Sequence, residues 1–164
     1  MSEPAALPAL TPIIAGPTAG GKSDLAVALA MHARERHGIE AEIVTADAFQ
    51  VYRGMDIGTA KPTVEERRGV VHHLIDLVDA TAAGAAGGLP ASATQPFTVE
   101  DWLTLATAKI AELREADRLP IVVGGTHLYI KALLDGLFQG PEPDPALRAE
   151  LNAGMGRERV LEVI

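Results

Sequence analysis

A chain of 164 residues, 48% hydrophobic but only 4% aromatic, is long enough for one core, built mainly from Ala, Leu, Val and Ile. It has no cysteine, which excludes disulfides and thiolate metal sites and fits a reducing cytoplasm. A net charge of −8 argues against a broad basic face for non-specific nucleic-acid binding.

The N-terminus Met1-Ser2-Glu3-Pro4 shows no secretory signal, and no apolar run is long enough to span a bilayer, so a soluble, cytoplasmic chain away from membranes is expected. Leu10 to Ala15, with Pro12 near its start, predicts a short buried strand. Leu25, Ala26, Leu29 and Ala30 have helical spacing across residues 23–36. Between these elements stands Gly16-Pro17-Thr18-Ala19-Gly20-Gly21-Lys22-Ser23, a complete G-x-x-x-x-G-K-[ST] phosphate-binding loop. Strand, glycine-rich loop and helix N-terminus together aim backbone N–H groups and a helix dipole at a phosphate. In that geometry Lys22 reaches the outer phosphates and the Ser23 hydroxyl is placed to ligate Mg2+. The plainer reading, a glycine-rich turn with an incidental lysine, leaves the agreement of motif and flanking elements unexplained.

Glu42 to Ala46 predicts a second strand, ending at Asp47, and His73 to Val78 a short third one. Arg53, Lys61, Arg67 and Arg68 fall in one segment, with Lys131 and Arg148 later; by charge alone they read as a solvated face. Ala80 to Thr94 is a low-complexity Ala/Gly stretch, expected to be a surface insertion without chemistry. Val99 to Asp117 predicts an amphipathic helix with Trp102, Leu103, Leu105, Ala106, Ile110 and Leu113 as its stripe. Thr98 is its expected N-cap, with Asp101 as the acid of a capping box. Leu119 to Val123 predicts a buried strand stopped by Gly124-Gly125, followed by a helix from about Leu128 to Leu137. Arg157 to Ile164 reads as a helix still in progress, which suggests the N-terminal part of something longer. Strands separated by helices imply an α/β chain: a P-loop NTPase-like three-layer fold with a mostly parallel sheet, one core over residues 1–164 with an insertion at 80–94.

A phosphate loop alone leaves nucleotide-binding proteins of several kinds open, ATP-binding kinases and ATPases as well as GTPases. Three further blocks narrow the choice. Asp47-Ala48-Phe49-Gln50-Val51-Tyr52-Arg53-Gly54-Met55-Asp56-Ile57-Gly58-Thr59-Ala60-Lys61-Pro62 resembles a signature of the tRNA dimethylallyltransferases, or tRNA isopentenyltransferases. His72-His73-Leu74-Ile75-Asp76 and Gly124-Gly125-Thr126-His127-Leu128-Tyr129-Ile130-Lys131-Ala132-Leu133-Leu134 resemble two more blocks in the same order.

The resemblance implies a transferase that moves a dimethylallyl group from dimethylallyl diphosphate to the exocyclic amine of an adenosine beside the tRNA anticodon. Gly16, Pro17, Thr18, Ala19, Gly20, Gly21, Lys22 and Ser23 would then cradle the donor diphosphate, with Mg2+ held through Ser23. Lys22 and the metal would stabilise the leaving group electrostatically. Similarity to the family makes Asp47 the general base; a magnesium ligand of Walker-B type is the competing role for an Asp at a strand end. Thr126 would bond near the donor's bridging oxygen, or cap the next helix, roles that can coexist. Asp47, Ala48, Phe49, Gln50, Thr126 and Arg148 are the implied contacts to tRNA, Gln50 through an adenine edge. His72 and His73 read as structural residues beside a strand. Ala48 stands where the family usually has serine. The resemblance implies a longer C-terminal part that grips the tRNA, expected to be missing from these 164 residues, and a monomer is expected. A P-loop small-molecule kinase and an inactive truncated fragment that only binds diphosphate are the alternatives. The kinase reading would want an arginine-rich lid, and Ala80 to Thr94 contains no arginine.

Overall fold

The computed structural model describes residues 10–79, 97–138, 140 and 144–146. The Ala80 to Thr94 stretch, Arg148 and the helix expected at Arg157 to Ile164 lie outside the described residues. Among the described residues six strands and four helices follow in the order β1 (Ile13–Ala15), α1 (Lys22–His37), β2 (Ala41–Thr45), β3 (Tyr52–Arg53), α2 (Val64–Arg67), β4 (His72–His73), β5 (Val78–Asp79), α3 (Val99–Glu115), β6 (Leu119–Gly124) and α4 (His127–Asp135).

Four strands form one parallel sheet in the order β1-β6-β2-β4, with Ile13 opposite Val122, Ile43 opposite Ile121 and Ile43 opposite His72. Helices cover both faces, so β2 and β6 are buried along their whole length, as parallel strands require. On one face Ala26, Val27, Ala30 and Ala33 of α1 pack on Ile43, Ile121 and Val123. These small residues let the helix lie close to the sheet. Leu25, expected on that stripe, is instead 59% exposed. On the other face Trp102, Ala106, Ile110 and Leu113 of α3 and Tyr129 and Ile130 of α4 pack on Val44 and Val122. The fold is the expected three-layer α/β arrangement with a P-loop NTPase-like parallel sheet.

Two local devices fix the long helices. Thr98 accepts the Asp101 N–H at 3.1 Å while the Asp101 carboxylate accepts the Thr98 N–H at 2.8 Å, the expected capping box. Such a cap contributes about 1 kcal/mol. Trp102 is fully buried, stacks on Tyr129 at 4.7 Å between ring centroids, and donates its indole N–H to the Thr45 carbonyl at 2.8 Å. Burying an indole contributes about 4 kcal/mol. On the same side Glu42 of β2 is buried between the Arg118 guanidinium and the His73 Nε2 at 2.5 Å, which satisfies a carboxylate inside the sheet.

The single strand expected over His73 to Val78 is a misreading. The chain leaves β4 at Leu74, and Leu74 and Asp76 have φ of 58° and 56°, a left-handed region that no strand residue adopts. The Asp76 N–H donates to the Gln50 carbonyl at 3.1 Å and the Val78 N–H to the Val51 carbonyl at 2.9 Å. Val78 and Asp79 therefore pair with Tyr52 and Arg53 in a separate two-stranded parallel sheet.

Candidate active site

The glycine-rich loop joins β1 to α1, and its backbone follows from its residues. Gly21, the residue before α1, has φ of 71° and offers no side chain to cap the helix. The first N–H groups of α1 are thus left facing outward, where an anion can take them. The Gly20 N–H donates to the Pro17 carbonyl at 3.2 Å, closing the loop, and Lys22 Nζ lies 2.5 Å from the same carbonyl.

A cleft of about 300 Å³ opens beside this loop at the carboxyl ends of the strands. Thr18 to Ser23 form one wall, and Asp47, Gln50, Thr59, Glu66 and His72 stand around the remainder. Gly16 and Pro17 form the stem of the loop rather than the wall. The location is where open α/β sheets bind ligands.

Asp47 follows β2 by two residues and is held by an Asx turn. Its Oδ1 accepts the N–H groups of Phe49 at 2.9 Å and Gln50 at 3.2 Å, which fixes the orientation of the carboxylate. Thr126, between β6 and α4, does not line the cleft. Its hydroxyl accepts the Ala48 N–H at 3.0 Å, and its own N–H donates to the Ala46 carbonyl at 3.2 Å. No side-chain cap joins it to α4. Thr126 therefore braces the Asp47 turn from the side.

Gln50 reaches the cleft, but its amide nitrogen donates to the carbonyls of Thr59 at 3.0 Å and Ala60 at 3.3 Å. The two-point contact to an adenine edge expected from its side chain would need that nitrogen. Phe49 points elsewhere: it is 57% exposed and lines a second, shallow hollow with Met55 and Ile57.

His72 lines the cleft, although its sequence context gave it only a structural role. Its Nδ1 lies 2.9 Å from the Val70 carbonyl. Burial lowers its pKa below the usual histidine value, opposed by that carbonyl and assisted by Arg67 and His73. The neutral ring then donates from Nδ1 and leaves Nε2 as its acceptor. No local sequence signal marks it: the pairing of β4 with β2 sets His72 opposite Ile43, and both line the cleft.

Among the described residues no three His, Asp or Glu side chains are grouped to hold a metal by themselves. What the cleft offers is the Ser23 hydroxyl beside the anion-binding helix end, with Asp24 and Asp47 also on its walls. That donor set suits magnesium, which keeps several waters and takes one or two protein ligands beside phosphate oxygens.

Known proteins resemble this chain over most of its length. The family described as IPP transferase matches residues 50–163. The chain belongs to the IPP transferase family. It is 48% identical over 145 residues to the tRNA dimethylallyltransferase of Thermobifida fusca, covering 88% of this chain and 41% of that protein. The crystal structure of the full-length tRNA isopentenylpyrophosphate transferase of Bacillus halodurans matches with a TM-score of 0.63 at 42% identity, over 86% of this chain and 41% of that one. The tRNA delta(2)-isopentenylpyrophosphate transferase of Staphylococcus epidermidis matches with a TM-score of 0.58 at 30% identity, over 93% of this chain and 46% of that one. This chain thus spans about two fifths of the length of the IPP transferase relatives it matches.

Proposed function

We propose that this chain carries the donor site and the base of a tRNA dimethylallyltransferase, acting on dimethylallyl diphosphate and the anticodon stem-loop of tRNA. The observation that supports this most is one cleft bordered by both the phosphate loop, Thr18 to Ser23, and the Asp47 carboxylate. A diphosphate on the loop and an amine at Asp47 would meet there.

In this reading the allylic C–O bond breaks and its electron pair leaves with the diphosphate. The exocyclic nitrogen of adenosine forms the new C–N bond, and its proton passes to the Asp47 carboxylate. The helix N-terminus and Lys22 lower the barrier by meeting charge that develops on the departing oxygens. Mg2+, held through Ser23 and the diphosphate itself, would supply further charge neutralisation. Asp47 needs only to be within reach of the amine, and its Asx turn holds it steady for that purpose. Thr126 acts by fixing Ala48 and hence this turn. Action as a monomer in the cytoplasm is part of this reading: among the described residues no helix is long and apolar enough to cross a membrane, and the tRNA substrate argues for the cytoplasm.

The test is calorimetric titration of the chain, with magnesium, against dimethylallyl diphosphate and separately against ATP. Preference for the prenyl diphosphate is expected. Preference for ATP would overturn the reading in favour of a kinase, and binding of neither would overturn a complete donor site in this chain.

A further inference from the structure

Lys61 is a cation placed where cations are rarely tolerated: its side chain is 3% exposed. Its ammonium is fully engaged. Nζ donates to the Tyr52 carbonyl of β3 at 2.8 Å, to Asp76 Oδ1 at 2.6 Å and to Asp56 Oδ1 at 2.8 Å. The end of β3, the 56–60 turn and the segment after β4 therefore converge on one atom.

The turn between Asp56 and Lys61 is tied along its length. The Lys61 N–H donates to the Asp56 carbonyl at 3.1 Å, the Ala60 N–H to the Ile57 carbonyl at 3.3 Å, and the Thr59 hydroxyl to the Met55 carbonyl at 2.5 Å. This turn presents the Thr59 and Ala60 carbonyls to Gln50 Nε2. Two acceptors facing one end of a carboxamide leave no ambiguity about its orientation. The nitrogen is used inside the protein, and the oxygen is the end left for a ligand.

We propose that Lys61 is a positioning residue that anchors the 56–60 turn and thereby fixes the Gln50 amide with its oxygen available to an N–H donor of the acceptor base. The proposal rests on reading the Asp47 cleft as the acceptor site. It deepens that reading by stating what the cleft selects. A base that presents an amino group to Gln50 gains a hydrogen bond, whereas one that presents a keto oxygen sets two acceptors against each other. A freely rotating Gln would accommodate both.

The experiment is a comparison of side-chain amide NMR signals in the 15N-labelled chain and its Lys61→Met variant, which keeps the length of the stem and removes the charge. Gln50 is assigned by the signals lost in Gln50→Ala. In the native chain the Gln50 amide protons should be protected from solvent exchange. In Lys61→Met they should exchange at least about tenfold faster and move to the positions of exposed glutamines. The affinity for inorganic pyrophosphate, which tests the phosphate loop alone, should stay within about twofold. Gln50 signals unchanged in Lys61→Met would overturn the proposal. Parallel loss of pyrophosphate binding would overturn it too, since Lys61 would then hold the fold at large. Should Lys61→Met fail to fold, Asp76→Ala removes one of the three acceptors, and an unshifted Gln50 in that variant overturns the proposal equally. Failure of the native chain to bind pyrophosphate would instead overturn the donor-site reading, independently of the NMR comparison.

Discussion

The Thr126 hydroxyl accepts the Ala48 backbone N–H at 3.0 Å across 78 positions of sequence, joining the turn after β6 to the turn after β2. The bond supports the residue next to Asp47. Thr126→Val keeps the shape and removes the acceptor, leaving a partly buried N–H without a partner. A loss of about 1–3 kcal/mol in denaturant unfolding is expected, with Thr126→Ser restoring most of it. Equal stability in Thr126→Val would show that water replaces the hydroxyl at no cost.

Lys22 carries the positive charge of the phosphate loop, and its ammonium rests on one loop carbonyl. Lys22→Ala should leave the unfolding midpoint nearly unchanged and weaken pyrophosphate binding about 100-fold, the scale of one charge-assisted hydrogen bond. Calorimetry measures this directly. Affinity within a few-fold of the native value would place the anion elsewhere.

Asp47→Asn retains the Asx turn, because the amide oxygen can still accept from Phe49 and Gln50. Donor affinity should therefore persist while, on the proposed function and in a full-length context, transfer to RNA falls by about 10²–10⁴, the usual contribution of a positioned base. Undiminished transfer would exclude Asp47 as the proton acceptor, and lost donor affinity would favour a magnesium ligand.

Gly124 marks the closest approach of β6 to the chain leaving β2. A Cβ there would lie 1.9 Å from the Ala46 carbonyl oxygen and 2.7 Å from the Ala46 Cβ. Backbone on both sides cannot move aside cheaply, so Gly124→Ala should cost about 3 kcal/mol or more. Chemical denaturation measures it; a loss below about 1 kcal/mol would mean that the strand end is free to shift.

These positions differ in how far the sequence alone could go. The phosphate loop and the Thr98–Asp101 cap are written at fixed short offsets, and each forms as its local chemistry dictates. Thr63 and Glu66 carry the same kind of signature for α2, a capping box at the same three-residue offset, yet that helix is only four residues long and has no periodic stripe to attract notice. The break at Leu74 and Asp76 could not be read locally. Asp76 is held there by bonds to Gln50 and Lys61, at least fifteen positions away. His72 in the cleft and the orientation of Gln50 are likewise products of pairing between distant segments.

The state of His72 gives stability a dependence on acid. Burial holds its native pKa below the usual value near 6.5, so just below that pH the unfolded chain binds more protons than the native one. The stabilisation is present above the unfolded value and is lost as pH falls through the native one. Unfolding at about pH 5 should need less denaturant than at about pH 7, and His72→Gln should flatten that difference. An unaltered slope in His72→Gln would assign the dependence to other groups.

The contact between Trp102 and the Thr45 carbonyl has an optical consequence. The chain has one tryptophan, so its indole emission comes from a single location. That location is sealed from solvent, stacked on Tyr129, and bonded to the chain two residues before Asp47. Any rearrangement of the strand end on which Asp47 is mounted must change the field at that ring. The fold therefore contains its own fluorescent gauge, in the core beside the end of β2, that needs no attached dye.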